Sequence, residues 1–263
     1  DVVTVATAAV RDASNSAQFV SQVERLGLQP LVISGLEEGR LSACGVLGAF
    51  PGAAGVVGDL GGGSLELVRL ESDQAGDSVS LPLGTLRLPE HLSSDLVQSR
   101  KSMEKVLKKG DWNEPIDSPL YLVGGTWRAL AVYAMQARSH PLSDPHGFEL
   151  ASEDAWALAE ELAGQDPSEL KARDRISSMR AEKLPKAAVL LQALLSRLEP
   201  TKLVFSSWGL REGLLYDRLE PHAKSQDPLL AGVAVFAAQR GAPPTLATRM
   251  AGWTVEAAPA GEH

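Results

Sequence analysis

Hydrophobic and polar positions change period repeatedly along this chain. Val2–Thr7 is a short, β-branched apolar run bounded by small residues, which predicts a buried strand. Phe19, Val20, Val23 and Leu26 then recur at helical spacing behind Asn15 and Ser16, which can cap a helix, and Gly27 ends it. Leu31–Ile33 predicts a second strand, closed by Ser34-Gly35. Glu37–Phe50 predicts a second helix, with Leu41, Cys44, Gly45 and Gly48 as a small-residue packing face. This β-α-β-α order predicts parallel pairing.

Pro51-Gly52 punctuates the chain. Gly55–Leu60 reads as a strand running into Gly61-Gly62-Gly63-Ser64, and Leu65–Leu70 alternates as a returning strand would. Asp73–Ser78 reads as a polar turn and Val79–Leu83 as a third strand. Ser94–Lys109 is an amphipathic helix rich in cations. Pro119–Val123 predicts a buried strand, followed by Gly124-Gly125-Thr126 and a helix over Trp127–Ala137. Past Ser139 the pattern is mostly helical. A loop spans His140–Gly147. Helices are predicted over Leu150–Gly164, Pro167–Ala172 and Arg180–Leu198, a strand over Lys202–Ser206, and helices over Gly209–Leu219 and Asp227–Gln239. The tail from Ala257 is small, polar and expected to fray.

The 263 residues are 44% hydrophobic and 22% charged, which excludes disorder as the overall state. Apolar runs such as Ala187–Leu191 and Val233–Ala238 fall far short of the roughly 20 residues of a membrane span. There is no signal-peptide pattern at the start. Twenty-five cationic against 33 acidic residues give a net charge of −8, which argues against a general nucleic-acid coat protein. A polyanionic ligand stays compatible, since a local basic groove can sit on an acidic protein. A single cysteine, Cys44, excludes an internal disulfide and reads as a small core residue; a reducing cytoplasm is the simplest location. Asp1 stands inside an apolar run where a natural start would carry Met, which points to a fragment.

Asp59-Leu60-Gly61-Gly62-Gly63-Ser64-Leu65-Glu66 is the sharpest local feature. Successive glycines at a strand-to-strand turn let backbone N–H groups converge on a phosphate. The acid at the strand end can hold a metal-bound water, and Ser64 can donate to a phosphate oxygen. Alone, such a turn is equally well just a hairpin turn. A second strand-to-glycine junction, Leu122-Val123-Gly124-Gly125-Thr126, opens directly into a helix and adds a second candidate anion site. Neither is a Walker loop, and no dinucleotide fingerprint occurs. Glu37 and Glu38 at a helix start either complement the helix dipole, or one of them faces a cleft and orients water. Arg11 either pairs with Asp12 or stabilises charge on transferring phosphoryl oxygens. Two basic sets, Arg100, Lys101, Lys105, Lys108, Lys109 and Lys171, Arg173, Arg175, Arg180, Lys183, Lys186, are solvated helix faces or a path for a polyanion. The five histidines are scattered and form no metal-binding pair; His146, Trp127 and Trp208 read as packing residues.

Five stretches in order resemble the exopolyphosphatase and guanosine pentaphosphate phosphatase (Ppx/GppA) family: Ala6–Asn15, Ile33–Leu41, Asp59–Leu67, Gly124–Leu130 and Gly209–Leu215. Ser80–Leu88 is similar to a stretch common in bacterial members. The resemblance implies an α/β, actin-like (ASKHA, ribonuclease H-like) two-lobed fold. It implies residues 1–50 as the remainder of the first lobe, 51–222 as the second lobe, and 223–263 as a helical segment and tail. It also implies magnesium-dependent hydrolysis of a terminal phosphoanhydride of polyphosphate or, as the alternative, of guanosine pentaphosphate (pppGpp). Neither a nucleic-acid nor a membrane partner is expected, and a homodimer is compatible with the family. On that pattern Glu38 is the general base and Arg11 binds phosphoryl oxygens. Asp59 and Glu66 organise Mg2+, and Gly61, Gly62, Gly63, Ser64 with Gly124, Gly125, Thr126 cradle phosphate. The chain departs from the family in several places. The Asp-x-Gly-Ser-Asn-Ser loop that opens the family is absent, Gly39 replaces a common Ala, Leu65 a Thr, Glu182 an Asp and Ala187 a Gly. A non-catalytic member that binds phosphate-rich ligands is the reading from another class.

Overall fold

The computed structural model describes residues 2–71, 74–93, 95–243, 245–246 and 249. The chain opens with β1 (Thr4–Ala6), α1 (Ala8–Arg11), α2 (Ser16–Glu24), β2 (Pro30–Val32) and α3 (Gly35–Ala49). A hairpin series follows: β3 (Gly55–Leu60), β4 (Leu65–Glu71) and β5 (Gln74–Leu81). Next come α4 (Leu96–Lys109), β6 (Leu120–Val123), α5 (Gly125–Ala137), β7 (Glu149–Ala151), α6 (Ser152–Ala163), α7 (Pro167–Lys171) and α8 (Ser178–Ala181). The order ends with α9 (Leu184–Leu198), β8 (Lys202–Ser206), α10 (Leu210–Asp217), α11 (Pro221–Lys224) and α12 (Pro228–Gln239). The first compact unit is Asp1–Arg218 and the second Leu219–His263.

In the first unit β1 and β2 pair in parallel, as the β-α-β-α pattern predicts. The other strands form a six-stranded sheet in the order β5-β4-β3-β6-β8-β7. β3, β4 and β5 are an antiparallel meander, while β6 joins β3, and β8 joins β6, in parallel. Alternation along the strands sends side chains to two cores. Leu65, Leu67, Leu81, Leu120 and Leu122 join residues of α4, α5, α6 and α9 on one face. Val57, Val68, Leu70, Tyr121, Val123 and Val204 meet Ala43, Val46 and Leu47 of α3 on the other. Leu190, Leu191, Leu194 and Leu198 of α9 are fully buried, each contributing roughly 2 kcal/mol over exposure.

α3 therefore lies on the six-stranded sheet, although the sequence groups it with the first segment. Its small-residue face lets α10 approach at backbone contact. A Cβ on Gly213 would stand 1.7 Å from the Leu41 carbonyl oxygen, and one on Gly45 2.3 Å from that of Gly209. Cys44 is buried in this region, as expected.

Several local readings change. Between the first strand and α2, Arg11 ends a single helical turn, α1, that the sequence pattern did not show. Asn15 stands at the N-cap of α2 without a side-chain cap, whereas Ser34 caps α3 by accepting the Glu37 N–H at 3.1 Å. The polar stretch after Asp73 is mostly β5: a sheet-edge strand with an exposed face tolerates polar residues. The three residues of β7 are too short for periodicity to reveal. Arg180–Leu198 is two helices, because Pro185 starts a new one at α9. In the second unit, α12 exposes Leu229, Leu230, Val233, Val235 and Phe236. Among the described residues no helix is long and apolar enough to cross a membrane. The tail from Ala257 lies outside the described residues.

Candidate active site

The two carboxylates that open α3 separate by function. Glu37 turns outward and accepts both Arg40 Nε and Nη2 at 2.8 Å. Glu38, one residue on, is buried and takes Arg11 Nη1 at 3.4 Å. The same Nη1 donates to the Ile33 carbonyl at 3.0 Å, and Arg11 Nε reaches Asp12 at 3.3 Å. Arg11 thus makes both the neighbour pair and the inward contact. Burial raises the Glu38 pKa, opposed by the Arg11 charge.

Gly61 Cα lies beside Glu38: a Cβ built on it would be 4.0 Å from Glu38 Oε1. The turn closes through Gly61 N–H to the Ser64 carbonyl at 3.0 Å. Thr85 N–H to Gly61 O at 3.0 Å and Leu86 N–H to Gly62 O at 2.8 Å brace it from behind. The N–H groups of Gly62, Gly63 and Ser64 donate to no other group among the described residues. Gly63 also meets α1, since a Cβ there would come within 2.9 Å of Ala8 Cβ.

Asp59, next to last in β3, stands opposite Glu66 on β4. Ser42 of α3 donates to Asp59 Oδ2, and Ser80 of β5 to Glu66 Oε1 at 2.8 Å. Burial pushes Asp59 up to about 6 and Glu66 up to about 7, with Glu38 adding repulsion to both. Glu66 Oε2 and the Ser64 hydroxyl are buried with no hydrogen bond of normal geometry, although the hydroxyl lies near enough to the carboxylate to lower its pKa. Gly39, where the family commonly has Ala, seats α3 against this strand: a Cβ would lie 3.1 Å from Glu66 Cβ.

The second glycine turn abuts the end of β3. Gly124 has φ +119°, and a Cβ there would stand 2.7 Å from the Leu60 carbonyl and 3.4 Å from Asp59 Oδ1. Gly125, Thr126 and Trp127 begin α5, so their N–H groups lack intrahelical acceptors. The candidate site residues are thus neighbours in pairs: Arg11 with Glu38, Glu38 with Gly61, Asp59 with Glu66 across the strands, and Gly124 with Asp59.

Sequence reading missed Ser42 and Ser80, ordinary serines whose importance comes from sheet register. It also missed Arg128. That residue is half-buried one turn into α5, donates to the Ser207 carbonyl at 3.3 Å, and feels Asp59 electrostatically. The helical spacing after Gly124-Gly125 was the available signal.

The sequence pattern of the Ppx/GppA phosphatase family matches residues 1–222. The chain belongs to this family. Among relatives of this Ppx/GppA chain, retrograde regulation protein 2 of Saccharomyces cerevisiae is 27% identical over 89% of this chain and 44% of its own length. Exopolyphosphatase 1 of Mycobacterium leprae is 28% identical over 85% of this chain and 69% of that protein. The chain thus spans less than half of the yeast relative and about two thirds of the mycobacterial one. The structure of the Aquifex aeolicus Ppx-GppA enzyme superposes with a TM-score of 0.70 at 29% identity, covering 82% of this chain and 75% of that one. An exopolyphosphatase from Cytophaga hutchinsonii shares the fold, with a TM-score of 0.72 at 23% identity over 81% of this chain and 73% of its own. The α/β, actin-like Ppx/GppA fold is the one the five sequence blocks imply.

Proposed function

We propose that this chain carries the hydrolytic site of an exopolyphosphatase, releasing the terminal phosphate of linear polyphosphate by attack of water. One observation carries the reading: a buried, pKa-raised Glu38 lies beside a glycine turn whose three N–H groups have no acceptor among the described residues. A carboxylate whose pKa is raised is a stronger proton acceptor. Glu38 Oε1 is the atom facing the turn, while Oε2 is held by Arg11. In this reading Oε1 takes the proton of the attacking water. Arg11 restrains the carboxylate and offsets charge on the phosphoryl oxygens. The turn N–H groups hold those oxygens in place, so positioning and charge stabilisation supply the acceleration.

Magnesium is the implied ion. Among the described residues no three His, Cys, Asp or Glu side chains form a cage for a metal. Magnesium keeps waters and binds through one or two carboxylates plus substrate phosphate, so it needs no such cage. Glu66 Oε2 and the Ser64 hydroxyl, without a hydrogen bond of normal geometry, fit such an ion and its phosphate, with Asp59 as the second carboxylate. Bound there, magnesium would neutralise charge on the phosphate oxygens.

The test is phosphate release from long-chain polyphosphate by the purified chain with magnesium, with pppGpp and ATP in parallel. Release from polyphosphate that disappears in Glu38→Gln is expected. Release undiminished in Glu38→Gln would remove the base assignment, and release from pppGpp alone would move the substrate. The likeness to a protein named for retrograde regulation favours one second reading, a regulator that binds phosphate-rich ligands without turnover. It predicts polyphosphate binding with no release in a chain shown folded by circular dichroism.

A further inference from the structure

Asp59, Glu66 and Ser80 form a row across three strands. Asp59 stands opposite Glu66 in the β3–β4 ladder, and Glu66 opposite Ser80 in the β4–β5 ladder. Residues opposite each other in a ladder point to one face of the sheet. That face is the one α3 covers: Val57 and Val68, two positions from Asp59 and Glu66, pack with Ala43 and Val46. A polar row thus lies beneath an otherwise apolar helix contact.

Each carboxylate in the row has one oxygen held by a serine. Ser42, fully buried on α3, donates to Asp59 Oδ2. Ser80 donates to Glu66 Oε1 at 2.8 Å. The other two oxygens are left to the site. Asp59 Oδ1 lies toward the second glycine turn, 3.4 Å from where a Gly124 Cβ would stand. Glu66 Oε2 is buried with no hydrogen bond of normal geometry. The terminal torsion of a carboxylate is broad and two-fold, so nothing intrinsic to the side chain decides which oxygen points where. A hydroxyl fixed on one oxygen decides it.

The helix α3 seats both serines. Ser42 follows Glu38 by four residues, so the two share one side of the helix. Gly35 opens α3 against Ser80: a Cβ there would stand 2.3 Å from Ser80 Oγ and 3.6 Å from Glu66 Oε1. Glycine at 35 leaves the hydroxyl its place. The helix that carries Glu38 therefore also sets both carboxylates.

We propose that Ser42 and Ser80 are positioning residues, each holding one oxygen of a carboxylate so that Asp59 Oδ1 and Glu66 Oε2 are the oxygens offered to the ion. This rests on the reading of Asp59 and Glu66 as the carboxylates of a magnesium site. Groups that hold a ligand's second atom fix its orientation and so its affinity for the metal.

The test is titration of the full chain with Mn2+ alone, an ion that suits the same oxygen donors, with free Mn2+ read by its electron paramagnetic resonance signal. Ser42→Ala and Ser80→Ala are each expected to weaken Mn2+ about tenfold or more. Ser99→Ala is the control, since Ser99 of α4 is equally buried and donates to the Asp95 carbonyl at 3.0 Å. It should lower the urea midpoint and leave Mn2+ affinity within about twofold of wild type. Mn2+ affinity unchanged in the folded Ser42→Ala and Ser80→Ala chains, but lost in Asp59→Asn and Glu66→Gln, would overturn the positioning role and leave the ion with its carboxylates. An equal fall in Ser99→Ala would make the serine effect a general loss of packing and overturn it too. No Mn2+ binding by the wild type, or binding indifferent to Asp59 and Glu66, would overturn the positioning role and the magnesium site together. If Mn2+ binds in a serine-dependent way while no polyphosphate is hydrolysed, the hydrolytic reading falls and the positioning role stands.

Discussion

Arg40 of α3 and Asp217 at the end of α10 are joined by two parallel hydrogen bonds, Nη1 to Oδ1 at 2.9 Å and Nη2 to Oδ2 at 3.0 Å. Arg40 also donates to Glu37 through Nε and Nη2, so one guanidinium ties the start of the Glu38 helix to the element that follows β8. Both partners are more than a third exposed, and water screens much of the attraction. A double-mutant cycle with Arg40→Met and Asp217→Asn is expected to give a coupling of about 1 kcal/mol, smaller in high salt. A coupling of zero in urea titrations at low salt would mean that glycine contacts alone join the two helices.

Substitution of Gly213 tests those contacts. The Cβ of Gly213→Ala would collide with backbone, 1.7 Å from the Leu41 carbonyl oxygen and 2.7 Å from the Gly45 nitrogen. Backbone cannot rotate away as a side chain can. A loss of about 3 kcal/mol or more is expected in chemical denaturation. A wild-type midpoint for this variant would mean that α10 is free to move off α3.

The carboxylates set a pH trend. Asp59 rises from 3.8 to about 6 and Glu66 from 4.5 to about 7 on folding, so the metal-free fold favours their protonated forms. Their contribution is complete below about pH 4 and is lost as pH rises through about 6 and 7. The thermal midpoint in EDTA should carry a falling component across that window, absent in Asp59→Asn/Glu66→Gln. Magnesium competes with those protons, so its stabilising effect should be larger at pH 8 than at pH 5. A magnesium effect independent of pH would separate the ion from these two side chains.

His146 sits in a row of rings, 5.0 Å from Phe50 and stacked 6.2 Å from Trp208. Its Nδ1 accepts the Ser207 N–H at 3.1 Å, and the Ser207 carbonyl in turn accepts Arg128. Burial lowers its pKa from 6.5. The stability it lends is therefore present above about pH 6.5 and is lost as pH falls through the lower folded value. A nitrogen-detected NMR titration should place its midpoint below 6.5. A midpoint above that would mean that Nδ1 carries a proton and the bond from Ser207 does not exist.

What the sequence revealed follows from how far each signal reaches along the chain. The Gly61–Ser64 turn and the Glu37-Glu38 pair were legible because strand, turn and helix signals bracket them within a few residues. Which of the two acids turns inward came from the family resemblance and from no local pattern, since Glu37 is held outward by Arg40, itself fixed by Asp217 much later in the chain. Ser42 and Ser80 reach Asp59 and Glu66 through sheet register and helix placement, which no local pattern encodes. The first part of β5 was read as a turn because an edge strand lacks the apolar alternation that marks a strand buried on one face.

The glycines between α3 and α10 also bear on how relatives are compared. Gly45 and Gly213 hold no ligand and move no proton, yet neither can drift alone while the helices touch. In any set of homologues that keeps this contact, both positions are expected to be as invariant as Glu38. A ranking by invariance would list them as active-site residues, and replacing them would abolish turnover by unseating the helix that carries Glu38. Loss of activity at such a position is a mechanical failure, which a ligand titration on the folded variant distinguishes from lost chemistry.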